Sequence, residues 1–194
     1  MSANKLGLFG YGSLVLPEST SMTLGRPVGP VRHAHLRDWR RRFSQRRDNL
    51  TCEKTFECAD GRRPEWVLGL NVEDGEDEAG PVNGVVIELS EAEFDRLDVR
   101  EIRYDHTDVT GSVEGAELPE RIFTYTAKEF HFAPQPPEDA VILATYAEAV
   151  ERGFDALGPG ELDDYLATTG PYPVERVRAS LVVDHIPDGN PRAW

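Results

Sequence analysis

Two short stretches hold residues whose types and spacing suit chemistry. The first is Phe9-Gly10-Tyr11-Gly12-Ser13-Leu14, directly after an apolar run. Two glycines and a serine let a backbone turn tightly and aim successive N–H groups at one point. Such a nest holds a carboxylate or an oxyanion without any charged side chain. The plainer alternative is a tight turn that leaves a strand. The second stretch is Leu97-Asp98-Val99-Arg100-Glu101-Ile102-Arg103-Tyr104. Glu101 falls where a helix is expected to give way to a strand, at the mouth of a small barrel. Desolvation there raises a carboxyl pKa toward neutrality, which suits a general acid–base. The plainer alternative is a surface ion pair of Glu101 with Arg100, Arg103 or Arg121, since most glutamates are solvated.

Other catalytic patterns are missing. There is no G-x-x-x-x-G-K-[ST] phosphate loop, and Val15 stands where the third glycine of a dinucleotide fingerprint would follow Gly10 and Gly12. There is no H-E-x-x-H, C-x-x-C or G-x-S-x-G, and Ser13 has no evident histidine partner. His33 and His35 flank Ala34 on one strand face without a third ligand nearby, so no metal site is expected.

A basic stretch raises another possibility. Between Arg26 and Arg47 lie eight arginines and one acid, Asp38, with Trp39 and Phe43 interleaved. That pattern suits nucleic acid. The chain as a whole carries −14, however, and repels polyanions and anionic lipid. The favoured reading is a strand whose aromatics pack inward while its arginines pair with the acidic run Glu73–Glu78. A third is that one or two of these arginines rim a pocket and read a second carboxylate on a ligand.

The elements that must position these groups are legible in outline. Strands are expected over Lys5–Gly10, Val31–Phe43, Thr51–Cys58, Trp66–Val72, Asn83–Leu89, Arg103–Thr110, Arg121–Ala127 and Ser180–His185. The apolar phase of Val31–Phe43 switches from Ala34 and Leu36 to Trp39 and Phe43, which predicts a bulge near Arg37–Asp38. In Thr51–Cys58, Cys52, Phe56 and Cys58 share one face, too far apart for the cysteines to bridge. Ser90-Glu91-Ala92-Glu93 fits a capping box, with Phe94 and Leu97 inward on a helix ending near Asp98. Asp139–Arg152 reads as a helix with Val141, Ile142, Thr145, Tyr146, Ala149 and Val150 near one face, interrupted by Gly153 and Gly158. Pro159 begins a second helix through Leu166. Strands that follow one another without crossover helices pair antiparallel. The expected fold is α+β, a small, mostly antiparallel β-barrel with peripheral helices.

The 194 residues suit a single domain over residues 1–194, and 39% hydrophobic with 29% charged residues is a globular balance. Two cysteines exclude a disulfide scaffold and a four-cysteine zinc site. No apolar run is long enough to span a bilayer, so no membrane partner is expected. Leu6–Leu16 is broken by Gly7, Gly10, Gly12 and Ser13 and lacks a small-residue cleavage site after it. The expectation is a soluble cytoplasmic protein. Oligomeric state has no signature in the sequence.

Taken in order, Tyr11-Gly12-Ser13-Leu14 after the first strand, Leu97-Asp98-x-x-Glu101 with Tyr104 following, and Tyr146, Gly153, Gly158, Pro159 and Tyr165 in the late helices resemble the γ-glutamylcyclotransferase family, including its ChaC-type relatives. The resemblance runs from Leu6 to about Leu166. It implies an enzyme that releases 5-oxoproline from a small-molecule γ-glutamyl amide or peptide, with no cofactor, metal or nucleic acid. It implies that the Tyr11–Leu14 backbone holds the γ-glutamyl group and that Glu101 is the acid–base. By the same resemblance Tyr104 and Tyr146 are pocket tyrosines. The family often has glycine after that glutamate; here Ile102 follows, and Arg103 immediately precedes Tyr104. These departures bear on the local loop and on the leaving group, which stays open among glutathione, a γ-glutamyl dipeptide and an amine. Alternatives are a γ-glutamyl-amine cyclotransferase, a γ-glutamyl-removing biosynthetic step, and a non-catalytic ligand-binding module.

Overall fold

A computed structural model describes residues 6–29, 31–75 and 80–191. In chain order its elements are β1 (Leu6–Gly10), a 3-10 turn (Ser13–Val15), α1 (Pro17–Leu24), β2 (Arg32–Leu36), β3 (Trp39–Asp48), β4 (Lys54–Cys58), β5 (Trp66–Asp74), β6 (Val82–Leu89), α2 (Glu91–Arg100), β7 (Tyr104–Asp108), β8 (Val113–Gly115), β9 (Arg121–Ala127), a second 3-10 turn (Glu129–His131), β10 (Ala140–Leu143), α3 (Ala144–Leu157), α4 (Glu161–Ala167), β11 (Arg176–Val177) and β12 (Ala179–Asp184). Lys5, the expected first residue of β1, and the end of the acidic run at residues 76–78 lie outside the described residues.

The α+β class holds, and the barrel does not. Among the described residues the strands form three sheets, ordered β7-β9-β1-β6-β2-β8, β11-β10-β5-β3 and β12-β4, and none closes on itself. Pairing is parallel between β1 and β9 and between β10 and both β5 and β11; the other pairings are antiparallel. The reason for the open sheets lies at the phase switch in Val31–Phe43. It is a break, not a bulge. β2 pairs with β6 in the first sheet, and β3 pairs with β5 in the second. Asp38, between them, adopts φ +64°, a left-handed turn that aspartate tolerates better than most residues. A bulge and a break shift the apolar phase alike, so phase alone does not separate them.

Other boundaries move for physical reasons. The Asp139–Arg152 segment is not one helix. Ala140–Leu143 is fully buried and extended, pairing Ala140 with Trp66 and Val141 with Val67. A short apolar run buried on both faces suits a central strand as well as a helix. α3 therefore starts at Ala144, and its buried face is Ala144, Ala147, Val150, Gly153 and Phe154. Gly153 lies inside this helix and does not interrupt it: a Cβ there would sit 2.8 Å from Val15 Cγ2, so glycine lets α3 press against the first 3-10 turn. α4 begins at Glu161, two residues after Pro159, with Gly160 as its cap. β4 starts only at Lys54, with Thr55 buried and Phe56 and Cys58 half-buried, so the expected two-faced pattern from Thr51 fails. Both cysteines are free thiols. The acidic run Glu73–Glu78, which reads in the sequence as a solvated loop, begins inside β5: Glu73, next to the strand's last residue, is buried, accepting a hydrogen bond from Ser44 Oγ (2.6 Å) and pairing with Arg40 and Arg42.

The main core joins the facing sides of the two larger sheets with α2 and α3, through Leu8, Phe9, Leu36, Leu68, Leu70, Leu97, Ile122 and Phe154. α2 is fixed at its start by the expected box. The Glu93 carboxylate accepts from the Ser90 N–H and hydroxyl, both at 2.8 Å, and Arg26 pairs with it from outside. α2 runs to Arg100, two residues past the expected stop. Ser90→Ala is expected to lower stability by about 1 kcal/mol, measured by urea unfolding.

Candidate active site

The turn after β1 is held from several sides. Val15 N–H donates to Gly12 O (3.0 Å) and Leu16 N–H to Ser13 O (3.3 Å), closing the 3-10 turn. Thr20 of α1 donates to Leu14 O (2.9 Å). The Tyr11 hydroxyl donates to Tyr125 O (2.7 Å), and Tyr11 O accepts from Arg41 Nη1 (3.2 Å). The first amides of the turn, like those of any helix start, have no acceptor within it.

Glu101 caps the C-terminus of α2, its N–H donating to Leu97 O (2.7 Å). Its own carbonyl accepts from Tyr104 N–H (2.7 Å), so the chain reverses tightly into β7. Its carboxylate lies 2.9 Å from Arg100 Nε, and the two side chains are 15% and 1% exposed. The sequence left open a surface pair with Arg100, Arg103 or Arg121; the pair is with Arg100 and it is inside. Arg103 instead grips Glu53 through both carboxylate oxygens (3.0 and 2.7 Å), and Arg121 pairs with Asp108. Arg100 reaches further, to Ser19 O (3.1 Å) and Thr23 Oγ1 (2.8 Å) of α1 and to Ser13 Oγ (3.2 Å). One guanidinium thus ties the end of α2 to the glycine turn. Burial raises the Glu101 pKa, and the attraction of Arg100 only partly offsets it.

All seven residues singled out in the sequence, Tyr11, Gly12, Ser13, Leu14, Glu101, Tyr104 and Tyr146, line one small hollow of about 30 Å³, together with Phe9, Leu70 and Tyr125. Residues Ser13, Glu101, Tyr104 and Tyr146 also line an outer cleft of about 390 Å³. Tyr104 donates to Leu70 O (2.7 Å), and Tyr146 sits in the first turn of α3, edge-on to Phe43. Gly12 faces Tyr146 closely, since a Cβ there would lie 3.5 Å from its hydroxyl. Burial raises the pKa of Tyr11, Tyr104 and Tyr146, so all three are neutral phenols at physiological pH; the O–H groups of Tyr11 and Tyr104 are committed to Tyr125 O and Leu70 O, which leaves their oxygens as acceptors. The arrangement is an ionisable carboxyl and a backbone turn lining one small hollow ringed by phenols. Chemically it can take a proton from a bound group, return it, and hold a polar ligand end.

Three contributors escaped the sequence reading. Arg100 sits three residues after Leu97, so the helical phase of α2 already marks it as inward. Arg41 lies between Trp39 and Phe43, on the face those aromatics were expected to bury, and it is fully buried. Tyr125 closes the hollow and donates to Asp98 Oδ1 (2.8 Å); only the strand alternation of β9 hinted at it. The remaining arginines of the basic stretch are dispersed: Arg26 to Glu93, Arg32 to Glu88, Arg37 to Glu114, Arg40 and Arg42 to Glu73, Arg46 to Phe130 O, and Arg47 to Lys54 O. Among the described residues no three His, Cys, Asp or Glu side chains gather as a metal site. No helix among them is long and apolar enough to cross a membrane.

No family model matches the chain, and no curated protein matches it significantly. Solved structures do. A γ-glutamyl cyclotransferase aligns over 87% of this chain and 90% of its own, with 18% identity and a TM-score of 0.57. A Homo sapiens protein described as uncharacterized aligns over 88% and 94%, with 17% identity and a TM-score of 0.58. YkqA from Bacillus subtilis aligns over 84% of this chain but 53% of its own, with 21% identity and a TM-score of 0.53. The chain has the γ-glutamyl-cyclotransferase-like fold.

Proposed function

We propose that this protein is a γ-glutamylcyclotransferase-type enzyme that releases 5-oxoproline from a small γ-glutamyl amide or peptide. The observation that carries the reading is the convergence of the Tyr11–Leu14 turn and the buried Glu101 carboxyl, ninety residues apart, on one hollow. The shared fold supports it.

In this reading the turn holds the γ-glutamyl group. The substrate contains its own nucleophile, the α-amine, which must fold back onto the δ-carbonyl. Enforced proximity of that kind lowers a barrier by roughly 7–11 kcal/mol. Glu101 takes a proton from the α-ammonium. The amine attacks and a tetrahedral oxyanion forms; the amide C–N bond breaks as Glu101 returns the proton to the departing nitrogen, and the carboxylate so regenerated takes the second proton from the attacking nitrogen, now the lactam N–H, and passes it to the released amine, which leaves as an ammonium. Such proton transfer contributes roughly 10²–10⁴-fold. Donors at the oxyanion add about 3–4 kcal/mol. Arg100 keeps Glu101 aimed and offsets the burial of its charge. The neutral phenols of Tyr104 and Tyr146 fix the substrate without competing for the proton. The reaction so written uses no cofactor.

The test is a panel of γ-glutamyl amino acids, glutathione and γ-glutamyl amines, assayed for 5-oxoproline. Release from at least one, with saturation, is expected. Binding of several without release from any would leave the ligand-binding module as the better reading.

A further inference from the structure

The hollow is too small for more than one end of a γ-glutamyl compound, so the rest must lie in the outer cleft, which shares the Glu101 wall. That cleft has a distinct chemistry. Its apolar lining is Leu16, Phe56, Val67, Leu143 and Ala149. Its charged lining includes Arg47, Lys54 and Arg103 with one acid besides Glu101, Glu53, which Arg103 already grips with two contacts, while Lys54 lies 3.8 Å from Asp184. In a chain of net charge −14 a cationic rim runs against the average surface. Arg47 is the telling member. Among the described residues it has no carboxylate at ion-pair distance. Its Nη atoms donate to neutral acceptors, Lys54 O (2.9 Å), Cys52 Sγ (3.4 Å) and Asn49 Oδ1 (3.4 Å), its guanidinium lies 5.1 Å over the Phe56 ring, and Glu53 attracts it from beyond ion-pair distance. A guanidinium at a cleft wall without a carboxylate complements an anionic ligand end.

Resting on the cyclotransferase reading above, we infer that the outer cleft receives the leaving amine, and that this amine is an amino acid with a bulky apolar side chain and a free α-carboxylate. The side chain lies along Leu16, Val67 and Leu143, and the carboxylate is drawn toward Arg47 and Arg103. A γ-glutamyl conjugate of a simple alkylamine fills the apolar wall and leaves the cations unanswered. One of glycine answers the cations and leaves the wall bare.

Three substrates separate these terms: γ-glutamyl-leucine, γ-glutamyl-glycine, and γ-glutamyl-isopentylamide, which is the leucine compound without its carboxylate. The expected kcat/KM for 5-oxoproline release is highest for γ-glutamyl-leucine, by roughly tenfold or more over each of the others, from apolar contact in one case and a charge-assisted bond in the other. Arg47→Met is expected to shrink the leucine-over-isopentylamide ratio to about threefold or less. Equal turnover of the leucine and isopentylamide compounds by the unmodified protein overturns the carboxylate assignment without any variant. Equal turnover of the leucine and glycine compounds overturns the apolar one. In both cases the cyclotransferase reading survives. No release from any of the three overturns both.

Discussion

Glu101→Gln is expected to lower kcat for 5-oxoproline release by roughly 10²–10⁴-fold, with KM changed only severalfold. The substitution keeps the size and one acceptor oxygen of the side chain, so Arg100 retains its bonds to Ser13, Ser19 and Thr23 and the end of α2 keeps its place. What is lost is the ability to accept and return a proton. The pH profile carries an independent check. The working form before attack is the carboxylate, so the acid limb of kcat/KM follows the free-enzyme pKa of Glu101. Burial lifts that pKa above the ordinary 4.5, against the pull of Arg100 and Arg103. The acid limb is therefore expected at a higher pH than for a solvated glutamate, and activity falls as pH drops through it. In Glu101→Gln that limb disappears from the residual rate. Undiminished turnover by the variant would falsify the acid–base role, and an unaltered acid limb would move the titration to another group.

The residues of the hollow were legible because their order along the chain is informative even where their packing is not. A glycine turn after a buried strand and a carboxyl after a capped helix are local features, and local physics writes them plainly. The Ser90–Glu93 box is the clearest case, since both partners lie within one turn. What escaped is what depends on distant partners. The four buried residues Ala140–Leu143 look the same in a helix or a central strand until β5 lies beside them. The Asp38 turn sends the chain from one sheet to another, while its phase switch matches that of a bulge within one. Arginine inside a protein contradicts composition-based expectation, so Arg41 and Arg100 read as surface residues although strand and helix phase point both inward. At these two positions phase reports the environment and residue type does not, because a buried arginine with enough acceptors is stable.

Arg41 tests that argument most directly. It donates from Nη1 to Tyr11 O (3.2 Å) and Asn83 O (2.9 Å), from Nη2 to Asn83 Oδ1 (2.9 Å), Tyr165 O (3.2 Å) and Thr168 Oγ1 (3.0 Å), and from Nε to Thr169 Oγ1 (2.8 Å). The rings of Phe154 and Tyr165 lie 4.9 and 4.3 Å from its guanidinium carbon, adding cation–π attraction. Burial lowers its pKa to about 9, which leaves it charged at neutral pH. Through these bonds one side chain joins the glycine turn to β6 and to the end of α4. Arg41→Leu keeps apolar bulk but strands several buried acceptors, each worth about 1–3 kcal/mol. Sharing of partners makes the sum less than additive, so a loss of roughly 3–5 kcal/mol is expected, a large part of a typical 5–15 kcal/mol stability. Arg41→Lys keeps the charge but offers one nitrogen in place of three. Lysine cannot serve Tyr11 O together with Tyr165 O and the Thr168 and Thr169 hydroxyls, so a smaller stability loss with a raised KM is expected, as the turn loosens. Urea unfolding of both variants and steady-state kinetics of the lysine variant measure these effects. A leucine variant within about 1 kcal/mol of the unmodified protein would mean that the acceptors relax to other donors, and that the glycine turn holds its shape without Arg41.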